Sequence, residues 1–471
     1  MSLIPGSSTL FRDLIGTPAM RSLWTDECMI ASWMDVERTL ARVQAEMGLV
    51  PTEAARMLDQ RLRPENVPAE VIAARRESVG HLFVSFLKVC RDVCGEAAEH
   101  MHVGPTTQDI LDTGLVLQVR DAYRLLLSEA LALETVSCDC AERYAGTPVM
   151  GRTHEQHAVP VTFGFVVAGW AVELRDHLDR LGECEKRWMI GNLSGAVGAH
   201  NAFVELAGAD TGRRVERQVC ERLGLGCPNM PLHPRIDRFT ELVVDLAELV
   251  GFLGRVALSI RSMQRTEVGE LEEPYRESQH WSSTMPNKKN PELCEQVAGL
   301  ASLCRGLAGS MQEVRVADYR DSTRTPVLMV AIPTVFMAAA RSVESMKSVI
   351  GGLIVDEARM LSNLNDPLSA GQAAAERVMI ALYKKTGLRA AAHETLHRCA
   401  REARDGRVPL AEALKQDPRV AEHLSAGEID RLCELGTYTG TSFSRTGEAL
   451  AYLRRRNAED RERIRSTDGI E

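Results

Sequence analysis

The sequence predicts an all-α protein built around a bundle of long helices, and three observations carry that expectation. Between residues 240 and 265, apolar side chains recur at Leu242, Leu246, Leu249, Leu253, Val256, Ile260 and Met263, alternating steps of four and three as one helix face requires. The same alternation runs through Leu293, Val297, Leu300, Cys304, Leu307, Met311 and Val314, and a third stripe holds Val167, Trp170, Leu174, Leu178 and Leu181. Such stripes are the seams of near-parallel bundled helices. Aromatic residues make up only 5% of the chain and alternating β-branched runs are few, which argues against a large sheet.

Taken in order, residues 1–103 read as an N-terminal helical domain. Its amphipathic segments are short because Pro51, Pro64 and Pro68 interrupt them. Residues 104–352 read as a central long-helix bundle. Helices of this length cover roughly 30–40 Å at 1.5 Å per residue. One chain rarely closes such a bundle alone, so association with copies of itself is expected. Gly351-Gly352 ends the region, and residues 353–471 return to shorter segments as a C-terminal helical domain. The basic tail "RRRNAEDRERIRS" (454–466) has acids interspersed and reads as a solvated helix end.

The 471 residues are 45% hydrophobic and 26% charged, which places the chain among soluble globular proteins. A net charge of −9 leaves no bulk basic field, so no nucleic-acid partner is expected. The opening "MSLIPGSSTLFRDLIG" has neither a basic n-region nor a long apolar h-region, so it does not read as a secretory signal. The longest apolar-looking stretch, 242–260, contains Asp245, Glu248 and Arg255, so it does not read as a membrane span. The twelve cysteines do not form a disulfide framework. Cys90 and Cys94 stand at i,i+4, Cys294 and Cys304 lie in a periodic run, and Cys138-x-Cys140 has no second pair at zinc-finger spacing. Reduced, mostly buried thiols and a cytoplasmic location are expected.

Three polar islands break the helical pattern: "HVGPTTQDILDTG" (102–114), "GRTHEQHAVPVTFG" (151–164) and "HWSSTMPNKKNPELCEQ" (280–296). Each precedes or opens a periodic run. That puts Thr106, Thr107, Gln108, His154 and Ser282 at helix starts or in entry loops, where free N–H groups and the positive dipole end suit anions. Thr106 and Thr107 also read as simple helix caps. His154 taken alone reads as a structural histidine. Together with His157 it makes H-x-x-H, but no third ligand lies nearby, so no metal is expected. In the third island, Lys288 and Lys289 stand beside Asn290-Pro291. Pro291 suits the first turn of the following helix, and Glu295 lies on that turn. The pattern reads as an anion clamp at a helix N-terminus with a carboxylate close behind it.

The islands resemble the motifs of the fumarase/aspartase superfamily. "SSTMPNKKNPELCE" is similar to its S-S-x-M-P-x-K-x-N-P signature loop, here 276–292. "GRTHEQHAVPVTFG" is similar to its G-R-T-H segment, and "HVGPTTQDILDTG" to its first substrate-binding segment. The resemblance extends from "LIGTPAMRSLWTDE" (14–27) to "LGTYTGTSFSRTGEAL" (435–450). It is nearest to the branch of adenylosuccinate lyase and 3-carboxy-cis,cis-muconate cycloisomerase. It implies three helical domains, a homotetramer with a twenty-helix core, and active sites each shared by three subunits. The implied chemistry is cofactor-free anti elimination from a small substituted dicarboxylate, usually with release of fumarate. Such a reaction needs positive charge and N–H donors around an aci-carboxylate, a base for the carbon proton and an acid for the leaving group.

Residue by residue, the resemblance implies Ser282 as the base with Ser283 beside it, His154 as the acid, and Glu295 as the carboxylate that orients His154. A serine can act as base only where its oxyanion is stabilised; Lys288 and helix-end amides are the candidates. Lys288 and Asn290 match residues that hold substrate carboxylates, and Thr106, Thr107 and Gln108 match the second carboxylate clamp. His81, His102, Thr153 and Met285 match further substrate-binding positions. Arg320, Ser322 and Arg324 in "YRDSTRT" fall where that branch makes distal substrate contacts.

Several positions depart from the pattern. Trp281 replaces a glycine before the two serines, which should stiffen the loop or narrow the pocket, and Pro105 stands where alanine or leucine is usual. The opening lacks the Arg-Tyr pair that adenylosuccinate lyases present to the nucleotide phosphate, which weighs against an AMP-sized substrate. His154 is retained where bacterial muconate cycloisomerases generally lack it. The leading expectation is therefore a lyase acting on a substituted succinate, a nitrosuccinate-type substrate included. Cycloisomerisation, adenylosuccinate cleavage and a scaffold without turnover are the alternatives.

Overall fold

Each apolar stripe becomes a long helix. The structure, a computed structural model, describes residues 8–230, 235–275, 282, 284–285, 287–314, 322–368 and 371–468. Its long helices are Thr107–Arg143 (37 residues), Phe163–Trp188 (26), Asp237–Met263 (27), Glu292–Glu313 (22), Thr325–Gly351 (27) and Ser442–Asp468 (27). Sheet among the described residues is confined to two two-stranded ladders, so the chain is all-α. Leu242, Leu246, Leu249, Leu253, Val256 and Ile260 are buried, as are Val297, Leu300, Cys304 and Met311. Each full burial of a leucine-sized side chain contributes about 1.5–3 kcal/mol. Met263, Leu293, Leu307 and Val314, read as members of the same stripes, are only half-buried.

Among the described residues the most apolar long helix is not the one that holds 242–260 but Thr325–Gly351. Its most apolar window has a mean hydropathy of 1.6, and 61% of that window is buried inside the protein. A helix that is apolar on most faces is a core helix when protein surrounds it. The apolar residues of this helix run almost continuously from Val327 to Ala340, so no alternation with polar residues marks one face in the sequence.

Two compact units divide the chain. The first comprises Met1–Ala130, His177–Phe252 and Gly299–Glu344; the second comprises Leu131–Asp176, Leu253–Ala298 and Ser345–Glu471. In the first, Thr25 caps the helix Asp26–Glu46 by accepting the Cys28 N–H at 3.3 Å. Trp33 on that helix meets Phe83 and Phe86 edge-on, with centroids 5.7 and 5.5 Å away. In the second, Val378, Leu382, Cys399, Leu410, Leu414 and Val420 share one core. There Arg175 and Glu134, both fully buried, are bonded through Nε at 2.8 Å, and Asn457 Nδ2 donates to Glu134 at 2.7 Å. A buried ion pair persists only where such extra bonds satisfy it.

The island 151–164 is not an entry loop. It belongs to a β-hairpin whose strands Pro148–Thr153 and Gln156–Thr162 pair antiparallel, with a register shift between Met150 and Arg152. Gly151 sits at that irregularity, where a Cβ would lie 2.4 Å from the Val159 carbonyl oxygen. No β-carbon fits there.

All twelve cysteines are free and nine are buried. Burial pushes the thiols of Cys138, Cys184 and Cys304 up to about 12, so these are unreactive hydrophobes.

Candidate active site

The first island lies in the first unit. His102 has a φ of +59°, unusual for a residue with a β-carbon. Its backbone N–H donates to Glu37 Oε2 at 3.2 Å and its Nδ1 faces Glu37 Oε1 at 2.6 Å. Glu37 is wholly buried and His102 is mostly so. Burial alone would discharge the ring, but Glu37, with Asp109 behind it, outweighs burial and holds His102 above the ordinary imidazole value. Gly104 follows at a φ of +98°, with the Phe203 ring filling the place of a side chain.

Thr106 and Thr107 open the helix Thr107–Arg143, but the anchoring carboxylate is Asp109. It accepts the Thr106 N–H at 3.0 Å, Asn192 Nδ2 at 2.9 Å and the Gly195 N–H at 2.8 Å. One turn later, Asp112 accepts Gln108 Nε2 at 2.6 Å and Arg324 at 3.1 Å. Arg324 is therefore buried in an ion pair, with 6% of its side chain exposed, rather than presented to solvent as a distal contact. Beside Gln108 and Asp112 lies a cavity of about 320 Å³, walled by Trp24, Met29, Trp33, Leu111, Leu115 and Leu328, with no Lys, Arg or His among its lining residues. His81 is exposed and caps the helix Leu82–Cys94, its Nδ1 accepting the Val84 N–H at 3.3 Å.

The second island, in the second unit, puts His154 at the hairpin tip. Thr153 and Gln156 close the turn, and His154 and Glu155 take φ values of +53° and +59°. Two left-handed residues in a two-residue loop make the mirror-image turn that normally selects Asn-Gly. His154 is exposed and has no hydrogen bond to a described residue. Below it Arg152 grips Glu270 with two 2.7 Å bonds, and Asn363 Nδ2 donates to the same carboxylate at 2.8 Å. Glu270 is fully buried. The strained tip thus stands on a rigid base.

The third island corrects the idea of a vacant helix N-terminus. The first amides of Glu292–Glu313, those of Leu293 and Cys294, each donate to Glu273 at 3.0 Å. Glu273 is itself buried, so the chain supplies its own anion at the helix start. Ser282 Oγ accepts the N–H groups of Thr284 and Met285 at 3.3 and 3.0 Å. Lys289 is bonded to Glu272 at 2.6 Å and lies 4.3 Å from the Tyr275 ring centroid. Lys288 is exposed and forms no ion pair with a described residue. Asn290 is half-buried just before the helix, and Met285 is 49% exposed. Glu295 is half exposed, with Arg261 Nε 3.8 Å away, and does not pair with His154 within the chain. Ser322 is exposed, its carbonyl accepting the Thr325 N–H at 3.2 Å. Trp281, Ser283 and Arg320 lie outside the described residues.

A family profile described as lyase matches residues 15–306, well over half the chain, and one described as adenylosuccinate lyase C-terminus matches residues 371–445. The chain belongs to the fumarase/aspartase superfamily. Within it, the chain is 31% identical over 438 residues to N-acetyl-S-(2-succino)cysteine lyase of Dickeya dadantii, covering 93% of this chain and 95% of that one. It is 33% identical over 451 residues to adenylosuccinate lyase of Methanocaldococcus jannaschii, with coverage of 93% and 94%. The solved 3-carboxy-cis,cis-muconate lactonizing enzyme of Pseudomonas putida superposes with a TM-score of 0.86 at 30% identity, covering 95% of this chain and 99% of that one.

This superfamily member holds its polar islands with residues that the motifs do not mark. Asp109 was legible, since Thr106-x-x-Asp109 is a capping-box pattern. Glu37, Glu270 and Glu273 gave no local signal, because each serves a residue tens of positions away in sequence or across a loop.

Proposed function

We propose that this lyase catalyses anti β-elimination from a substituted succinate, releasing fumarate without a cofactor. Ser282 takes the Cβ proton, the C–H electron pair becomes the double bond, and the leaving group departs from Cα with a proton from His154. The observation that carries this reading is the environment of Ser282 Oγ, which already receives two backbone N–H groups. Those dipoles favour an alkoxide over a hydroxyl. This turn takes the place of the helix-end amides, which Glu273 occupies.

Lys288 and Asn290 hold one substrate carboxylate; Thr106, Thr107 and Gln108 hold the other, with Gln108 set by Asp112 and Arg324. Thr153, Met285, His81, Ser283, Arg320 and Ser322 complete the substrate contacts, and Glu295 orients His154. As the superfamily resemblance implies, the site is completed by three subunits of a cytoplasmic homotetramer; within one chain Glu295 lies beside Arg261 and not His154. The three-domain division 1–103, 104–352 and 353–471 belongs to the same reading. A leaving group other than a nucleotide is favoured: among the described residues the cavity beside Gln108 has no cationic wall, and the opening segment lacks the Arg-Tyr pair of adenylosuccinate lyases. A succinylated thiol or amine, or a nitrosuccinate, fits that chemistry.

Purified protein incubated with S-succinyl thiols, N-succinyl amines and nitrosuccinate should release fumarate, read by its absorbance. Absence of fumarate from every one of them overturns the reading. The likeness to a lactonizing enzyme supports cycloisomerisation as the second reading. That reaction needs no leaving-group acid, so a His154→Ala variant that keeps full activity on carboxymuconate would favour it.

A further inference from the structure

Glu37 lies on the helix Asp26–Glu46, far from all three motifs, and is wholly buried. Among the described residues, its carboxylate is bonded only by His102, through the backbone N–H at 3.2 Å and Nδ1 at 2.6 Å. An isolated buried carboxylate costs several kcal/mol unless a cation compensates it, and the imidazole is the partner present. At that Nδ1 separation the proton sits between ring and carboxylate, and the tautomer is set. Nε2 has no hydrogen-bond partner among the described residues and is not a sealed atom.

We infer that Glu37 is a positioning residue for the lyase reaction: it keeps His102 an imidazolium, so that Nε2–H is a standing donor for an anionic oxygen of the substrate. The inference rests on the proposed function for the identity of that oxygen, a carboxylate. His102 thus serves as a fixed cation and not as a proton shuttle.

The groups around the ring agree. Asp109, from the helix Thr107–Arg143, adds negative charge and favours the imidazolium. Phe83, from the helix Leu82–Cys94, packs a tilted ring 5.2 Å from the imidazole centroid and contributes no charge. The buried Cys90 thiol stays protonated, raised by burial and by Glu37. The bond from the His102 N–H to Glu37 also holds the left-handed backbone, a conformation that persists only where its surroundings enforce it.

The test replaces Glu37→Gln in the full-length protein. The amide oxygen can still accept from Nδ1, so the ring stays in place while its counter-charge is lost. With ¹³C-labelled histidine, the His102 resonance, assigned by its loss in His102→Gln, should titrate roughly one to two pH units lower in Glu37→Gln than in the unmodified protein. Calorimetric binding of succinate should weaken about tenfold at neutral pH and recover at a pH below the titration point measured for the variant's His102. A wild-type His102 that is neutral at pH 7 overturns the inference without any variant. So does a Glu37→Gln protein with an unmoved titration, or one whose succinate affinity is lost equally at both pH values. Neither readout needs turnover, so absence of fumarate production would sink the proposed reaction and leave this inference standing.

Discussion

The Arg152→Met substitution separates scaffold from chemistry most cleanly. Glu270 has no exposed side-chain surface, and Arg152 has 18%. Removing the guanidinium strips two 2.7 Å charged bonds and leaves, among the described residues, only the 2.8 Å bond from Asn363 on a buried carboxylate. Breaking one side of a buried pair costs about 3–5 kcal/mol. The surviving amide bond and the partial exposure of Arg152 set the expectation near the lower end, about 3 kcal/mol. Opening of the Val149–Val161 region of the ladder then becomes about a hundredfold easier, at 1.4 kcal/mol per factor of ten. Hydrogen exchange of those strand amides reads it directly. His154 lies two residues beyond Arg152 on the same strand and turn, so kcat should fall more than tenfold. Because the cost comes from an orphaned charge, Arg152→Met combined with Glu270→Met should regain most of the protection. Unchanged exchange in the single variant, or a double variant as unprotected as the single one, would refute the reasoning.

Three further outcomes are expected. Lys288→Met should lower kcat/KM by about 10²-fold or more with an unchanged melting temperature, since a positioned cation on a developing anion contributes about 3 kcal/mol or more. Lys289→Met, which breaks a pair with Glu272, should cost well under tenfold, and steady-state kinetics distinguishes the two. Asp109→Asn places an amide group against donors now satisfied by a carboxylate and should destabilise the first unit by about 2–4 kcal/mol, seen in urea denaturation as earlier loss of Trp fluorescence. His102 is raised above its unfolded value of 6.5. Its contribution to stability is therefore complete below about pH 6.5 and is lost as pH rises through the folded value. Melting temperatures across that alkaline limb should fall in the unmodified protein and flatten in Glu37→Gln.

What was legible in the sequence follows from the range over which each interaction acts. The stripe from Leu242 to Ile260 announces its helix because burial repeats every turn, and Pro291 marks a helix start because it tolerates that position. The hairpin stayed hidden for local reasons. Its turn is His154-Glu155 instead of Asn-Gly, Pro160 interrupts the second strand, and Gly151 breaks the alternation in the first. Each of these argues against a strand when read alone. The partner of the helix amides at the third island was hidden because Glu273 precedes the helix by about twenty residues and no spacing rule links them. Gln108 is marked by its motif, but the chain from Gln108 through Asp112 to Arg324 spans more than two hundred residues and exists only once the helices pack.

The hairpin tip also bears on how this enzyme can be improved. A protein engineer seeking thermostability would replace His154→Asn and Glu155→Gly first, since that pair suits two successive left-handed residues. The exchange should raise the melting temperature and remove the proposed acid. Natural variation is constrained in the same way: a lineage released from its reaction should drift toward the ordinary turn, and one that keeps the reaction should carry this local instability with it. On the proposed role of His154, the composition of this single turn should separate relatives that keep the reaction from those that have lost it.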